Sequence, residues 1–409
     1  MLYKLEIENF YSIRDRQVLD LSVDGKVPDP DNRYAPIFNG SEVRVPKVVA
    51  LYGANASGKT TVLRAFEFVI SMIRDSVQRT IPGFNGCERF NDLESANRPI
   101  RFAIELGGVM NLNEDNLRRA EAGEPVEEGV YRYELELAVK DGIVHRISSE
   151  ALRQKPNGQG KWQRLFERDV EGRVKDSKVF TLSGYQHLVK TLAPNHTVLS
   201  SFSKFSHPTA MLIVSAARKA LFQIDPVHTF VDSQVIDYLK GQPYVMSRLT
   251  DELSRIDVGV EGLRFEDRQN GPVLLFKHTG LQEEMPWLLE SHGTRAFIKM
   301  FPFIVLALDG GGVAVIDEMD AAIHPLVLPE LVRWFYDKDK RNKLDAQLWF
   351  TCHSASLLDD LQKEEIVVCE KDRMGRTQLY SLMDVKVRRD ENHYRKYLSG
   401  AYGGVPHIG

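Results

Sequence analysis

An apolar run, Val48-Val49-Ala50-Leu51, passes through Tyr52 straight into Gly53-Ala54-Asn55-Ala56-Ser57-Gly58-Lys59-Thr60. After it, Val62, Leu63, Ala65, Phe66 and Val69 recur at helical spacing between Thr61 and Ile70. Strand, tight turn and helix are thus written consecutively, the context that a G-x-x-x-x-G-K-[ST] motif requires. Gly53 and Gly58 let backbone N–H groups turn inward at phosphate oxygens with no Cβ in the way, and the helix start adds a field that favours negative charge. At this spacing Lys59 reaches the β- and γ-phosphates of a nucleotide and Thr60 offers its hydroxyl to Mg²⁺. The expected cradle is Gly53, Ala54, Asn55, Ala56, Ser57, Gly58, Lys59, Thr60 and Thr61.

A second apolar run, Val313-Ala314-Val315-Ile316, ends in Asp317-Glu318. It reads as a central parallel strand whose C-terminal end delivers two carboxylates to the crevice where ligands sit in open α/β sheets. Asp317 is expected to join Thr60 in holding the metal, and Glu318 to polarise the attacking water as general base. Alone, the run reads equally well as a strand ending in two solvated acids. Between the two runs, Glu290-Ser291-His292-Gly293-Thr294-Arg295 opens a long apolar helix over residues 296–308, with Ser291 at the N-cap and Gly293 allowing close approach of a ligand. Thr351-Cys352-His353 follows a strand read over residues 347–350, and a histidine there can hydrogen-bond a γ-phosphate and a catalytic water. The set predicts an ATPase with ATP and Mg²⁺ as cofactors and Glu318, His353 and Lys59 as its catalytic residues.

Added to residues 5–12, Asp317-Glu318-Met319-Asp320-Ala321-Ala322-Ile323-His324-Pro325, and Tyr397-Leu398-Ser399-Gly400-Ala401-Tyr402-Gly403-Gly404-Val405-Pro406, these segments carry a resemblance from end to end, weakest between about residues 80 and 260. The chain resembles a compact ABC-type ATPase of the SMC, RecF and OLD lineage. It is most similar to the RloA-like ATPases of bacterial phage-defence and abortive-infection operons, which include the AbiL and PARIS ATPase subunits. The resemblance implies that Ser291 and Gly293 bind the γ-phosphate held by an opposite subunit, making the chain a homodimer or higher homo-oligomer. It also places residues 10–16 near the adenine, with Arg14 either a contact or a solvated hairpin residue. Departures exist: Glu290 stands where the broader pattern has Leu, His324-Pro325 where many relatives have Asp, and no Q-loop glutamine can be assigned.

Composition agrees with a soluble, cytoplasmic protein of several subdomains: 409 residues, 43% apolar and 27% charged, without a stretch of some twenty apolar residues or a signal leader. Cys87, Cys352 and Cys369 show no paired spacing. The net charge of −4 argues against coating nucleic acid through bulk charge, though Lys386, Arg388, Arg389, Arg395 and Lys396 cluster around Tyr394 and Tyr397.

The expected architecture is α/β: an ABC-type P-loop ATPase head with a mixed sheet, an antiparallel β subdomain and an inserted mainly helical lobe. The divisions are 1–175 for the N-terminal half of the head with the β subdomain, 176–260 for the lobe and 261–409 for the C-terminal half. Alternating strands are read near residues 2–10, 18–23, 100–106, 131–139 and 143–152, and an exposed, mobile acidic loop over residues 111–129. Long heptads are absent, and too few residues follow His353 for a nuclease domain. The leading reading is therefore a sensor and scaffold ATPase in phage defence, whose ATP-dependent head–head dimer holds or releases a separate toxic effector such as a nuclease, with no membrane partner. The alternative is a DNA-repair or DNA-end-binding ATPase, for which nucleic acid is the partner. A stand-alone nuclease using Asp317, Glu318 and Asp320 is the weakest reading.

Overall fold

The computed structural model describes residues 1–77, 86–111, 114–224, 232–256, 259–269, 271–321, 323–388 and 391–405. Ala322, Arg389 and Pro406 lie outside them.

A six-stranded sheet runs, in spatial order, Ala220–Gln223, Val313–Ile316, Gln347–Thr351, Val48–Tyr52, Ile366–Lys371 and Thr377–Ser381. Every neighbouring pair is parallel except the last. Both faces are covered, which is why these strands are written as unbroken apolar runs rather than alternating ones. Val49, Leu51, Val315, Trp349 and Val367 point into one core with the Lys59–Asp75 helix. Val48, Ala50, Ala314, Ile316, Leu348 and Phe350 point into a second core with the His292–Gly310 and Val327–Tyr336 helices. Val62, Leu63, Ala65, Phe66 and Val69 are all buried, as their helical spacing predicts.

A seven-stranded sheet lies over the first core in the order Val174–Lys175, Gln163–Arg168, Ile143–Pro156, Glu128–Lys140, Ile100–Val109, Leu2–Glu8, Gln17–Asp20, and all its pairs are antiparallel. The alternation along Leu2–Glu8, Ile100–Val109 and Glu128–Lys140 sets their inward faces against the Lys59–Asp75 helix. A smaller sheet, Val260–Arg268, Gly271–His278 and Met285–Pro286, leads into the His292–Gly310 helix. That helix carries Pro302 in its interior, and Ser291 caps its start by accepting the Thr294 amide at 3.0 Å.

Two local expectations are corrected. The stretch read as a loop between residues 111 and 129 holds a helix, Glu114–Glu121, with no buried residue. Glu114 and Asp115 in its first turn and Arg118 and Arg119 in its last complement the helix dipole, a local source of stability that an apolar-periodicity reading does not register. Within the stretch read as helices and loops, Ala220–Gln223 is a strand on the edge of the central sheet, paired in parallel with Val313–Ile316. Three apolar residues followed by Gln223 carry too little period to announce themselves as a strand. The helices before it, Val198–Lys204 and Pro208–Ala217, pack on the Lys59–Asp75 helix and share the first core.

Phe66 bolts that helix to the sheet: its ring meets Phe222 at 5.3 Å and Trp349 at 5.4 Å, and it is 1% exposed. Phe66→Ala should cost about 3–5 kcal/mol, read as a lowered denaturant midpoint. A loss below about 1 kcal/mol would mean that this junction is not packed as described.

Candidate functional site

Register brings the chemistry together. Ile316 stands opposite Phe350, Phe350 opposite Ala50, and Thr351 opposite Leu51. Because the strands are parallel, Asp317-Glu318, Cys352-His353 and the loop from Gly53 leave the same edge of the sheet side by side.

The loop is held from below. A Cβ on Gly53 would stand 2.2 Å from the Cys369 carbonyl oxygen, so only glycine lets the strand enter the turn here. Thr377 Oγ1 donates to the Ser57 carbonyl at 2.9 Å and pairs with the Ser12 hydroxyl at 2.8 Å, tying the turn to the neighbouring strand and to the N-terminal hairpin. Gly58 caps the Lys59–Asp75 helix, whose free amides face the cleft. The Lys59 ammonium, nearly buried, donates to the carbonyls of Gly53 at 2.8 Å and Ala54 at 3.1 Å. Burial lowers its pKa, and the nearby acids Asp317, Asp320 and Glu318 pull it back up. A buried cation satisfied only by carbonyls is poised to take an anion.

Thr60 Oγ1 donates to Asp317 Oδ1 at 3.2 Å. Thr351 Oγ1 donates to the same oxygen at 2.5 Å and accepts the Glu318 amide at 2.7 Å. One hydroxyl thereby fixes both acids. Glu318 adopts φ +50°, a left-handed conformation that costs a residue bearing a Cβ roughly 1 kcal/mol or more. The hydrogen bond from its backbone N–H to Thr351 Oγ1 holds that conformation, and the residue stands exposed in the cleft. Asp320 also borders the cleft, and its Oδ2 accepts the amides of His353 at 2.9 Å and Ser354 at 2.6 Å, fixing the loop that presents the exposed His353 ring. Among the described residues no group of three His, Cys, Asp or Glu side chains is gathered to hold a metal by itself.

The resulting cleft has a volume of about 1330 Å³. Asn55, Ala56, Ser57, Gly58, Lys59, Thr60 and Thr61 line it with Asp317, Glu318 and His353, while Gly53 and Ala54 take part through their carbonyls. Tyr11, Ser12, Lys371 and residues 88–92 complete the wall. The expectation that residues 10–16 lie by the nucleotide accounts for Tyr11 and Ser12, whereas Lys371, residues 88–92 and the role of Thr351 are not announced by the sequence. The signal for Thr351 lay in register: a hydroxyl residue ending the strand beside Asp317. Arg14 is not itself among the residues lining the cleft: it pairs with Asp92 at 2.6 Å, with Asp15 and Glu94 beside it.

Ser291 and Gly293 are not in this cleft. They line a separate cavity of about 320 Å³ with Thr294, Phe297 and His324. Glu290 accepts the Ser291 amide at 2.7 Å and contacts His278 Nε2 at 2.9 Å, so the glutamate that departs from the broader pattern braces the turn. Ser291 and His292 are exposed, and so are the flanking Leu288, Leu289 and Leu326. In the basic cluster, Arg395 and Lys396 are exposed, Tyr394 is half-buried and Tyr397 is buried in the second core, so the aromatic surface beside those charges is reduced.

Thr60, Asp317 and Lys59 fit a magnesium nucleotide: hydroxyl, carboxylate and buried ammonium converge at a helix start, and the phosphates and water supply the remaining ligands that Mg²⁺ takes. Among the described residues no helix is long and apolar enough to cross a membrane.

Two solved structures are similar in trace. One is an SMC head bound to the C-terminal winged-helix domain of ScpA, at 13% identity and a TM-score of 0.45, covering 94% of this chain and 99% of that one. The other is an SMC head domain from Thermotoga maritima, at 11% identity and a TM-score of 0.41, again covering 94% and 99%. Neither bears on activity at such values. No curated protein matches the sequence. A family model described as "AAA domain, putative AbiEii toxin, Type IV TA system" matches residues 48–359, from the strand before the phosphate loop to beyond His353. The chain belongs to that AAA-domain family.

Proposed function

We propose that the chain is an ABC-type ATP hydrolase that works as a head–head dimer, and that in bacterial phage defence, close to the RloA-like ATPases, it holds or releases a separate toxic effector. The observation that carries the catalytic part is the shared oxygen: Thr60 and Thr351 both donate to Asp317 Oδ1, so helix start and strand ends are locked around one metal-binding position. Thr60 and Asp317 would hold Mg²⁺, which when bound neutralises charge on the β- and γ-phosphate oxygens. Lys59 binds the same phosphates, and the Gly53–Gly58 turn orients them. Glu318, exposed in the cleft and fixed at its amide, takes a proton from the attacking water, and His353 orients that water from the adjacent loop.

Support for the dimer comes from separation. Ser291 and Gly293 open into their own cavity, the capped helix start beside them faces solvent, and exposed leucines surround it. A second copy would bring that helix start to the open side of the cleft. The effector-holding role is supported by the family description, which names a toxin–antitoxin setting. Two nucleotides bound across an interface supply the differential affinity that can switch a partner between held and released states.

Glu318→Gln should lower kcat by about 10²- to 10⁴-fold while ATP still binds; ordinary turnover would remove Glu318 as the base. Thr351→Val keeps the side chain's shape but deprives Asp317 and the Glu318 amide of their common partner. Its kcat should fall by about 10- to 100-fold, the value of a hydrogen bond to a charged group, and unchanged kinetics would show that the acids position themselves. Ser291→Arg should leave ATP binding intact yet abolish both hydrolysis and the ATP-dependent doubling of mass in sedimentation. Full hydrolysis by a strictly monomeric Ser291→Arg protein would end the shared-site reading.

A further inference from the structure

The glycine-rich segment that follows the His393–Leu398 helix has no part in the cleft, yet it is seated directly behind it. Gly404 adopts φ +68°, and a Cβ there would stand 2.7 Å from Val368 Cγ1 and 3.4 Å from Gly53 Cα, at the first residue of the phosphate loop. The Gly404 amide donates to Glu370 Oε2 at 3.2 Å, and its carbonyl accepts the Tyr397 hydroxyl at 3.1 Å. Tyr380 donates to the Tyr402 carbonyl at 2.6 Å, fixing the turn from the neighbouring strand. Burial raises the pKa of the Tyr397 phenol, and the Gly53 amide works against that rise.

We propose that residues 397–405 are a clasp that positions Gly53, and through the Gly53 carbonyl the Lys59 ammonium, so that clasp seating and nucleotide binding reinforce one another. The proposal rests on the nucleotide-binding reading of the cleft. Its path is short: Tyr397 and Gly404 set Gly53, and Gly53 O holds Lys59 Nζ at 2.8 Å. A second arm reaches the opposite wall. The Tyr397 ring meets the Tyr52 ring edge-on at 5.7 Å, and Tyr52 donates to the Ser354 carbonyl at 3.3 Å, next to His353. One segment therefore backs both the phosphate loop and the histidine loop. Tyr397 and Gly404 touch no reacting atom; they are positioning residues. By linkage, whatever the clasp adds to nucleotide affinity, bound nucleotide returns to clasp seating.

The test uses the full chain, a fluorescent N-methylanthraniloyl ATP with Mg²⁺, and amide hydrogen exchange over residues 397–405. Tyr397→Phe keeps the ring packed on Tyr52 and removes only the hydroxyl, so nucleotide affinity should fall about five- to tenfold, the value of one hydrogen bond, with KM rising more than kcat falls. Gly404→Ala should weaken binding further. ATP should slow exchange in residues 397–405 of the unsubstituted protein and leave it unaltered in Lys59→Ala, a coupling that simple packing would not show. Unchanged affinity in Tyr397→Phe, or exchange in the clasp indifferent to ATP while Lys59→Ala loses binding, overturns the clasp alone. Unimpaired binding by Lys59→Ala overturns the reading of the cleft and the clasp with it. Should Gly404→Ala fail to fold, Tyr397→Phe and the exchange experiment decide.

Discussion

The parallel register of three strands is the constraint on which the rest depends. Val48–Tyr52, Gln347–Thr351 and Val313–Ile316 come from widely separated parts of the chain, yet pairing Ile316 with Phe350 and Thr351 with Leu51 leaves no freedom in where their loops emerge. A slip of one residue would turn Asp317 toward the other face of the sheet and bury the wrong half of each strand. The two cores therefore do more than stabilise: their opposed claims on alternate residues choose the alignment that makes Asp317, Thr351 and Thr60 meet.

Much of this was legible because the chemistry is written locally. The glycines and lysine of the phosphate loop, the acids ending an apolar strand and the serine before an apolar helix each sit beside the element that presents them. Burial on both faces made the central strands conspicuous, and single-faced burial made the antiparallel strands alternate. What stayed hidden was relational. Thr351 matters through a partner 34 residues away, and Asp320 through amides 33 and 34 residues away. The strand at Ala220–Gln223 is defined by its neighbour rather than by its own four residues, and the Glu114–Glu121 helix by end charges rather than an apolar face.

The glycine-rich segment illustrates the same limit. Its residues could be singled out in the sequence but not explained, because the reason for Gly404 lies in Val368 and Gly53, which only the fold brings near. Likewise Arg14, close in sequence to the hairpin residues that do line the cleft, is ion-paired with Asp92 of the cleft wall rather than lining it directly. Sequence proximity to a site and membership of it are different properties, and competing ion pairs decide between them.

The distance between the cleft and the cavity at Ser291 has a kinetic meaning. On the proposed head–head reading, a lone chain presents two incomplete halves, Lys59 with Asp317 in one and Ser291 with Gly293 in the other. Where turnover requires both, the rate per chain rises with the number of chains present, and dilution silences the protein without any inhibitor. Copy number then acts as a threshold, set by the affinity of one surface for another rather than by the supply of nucleotide.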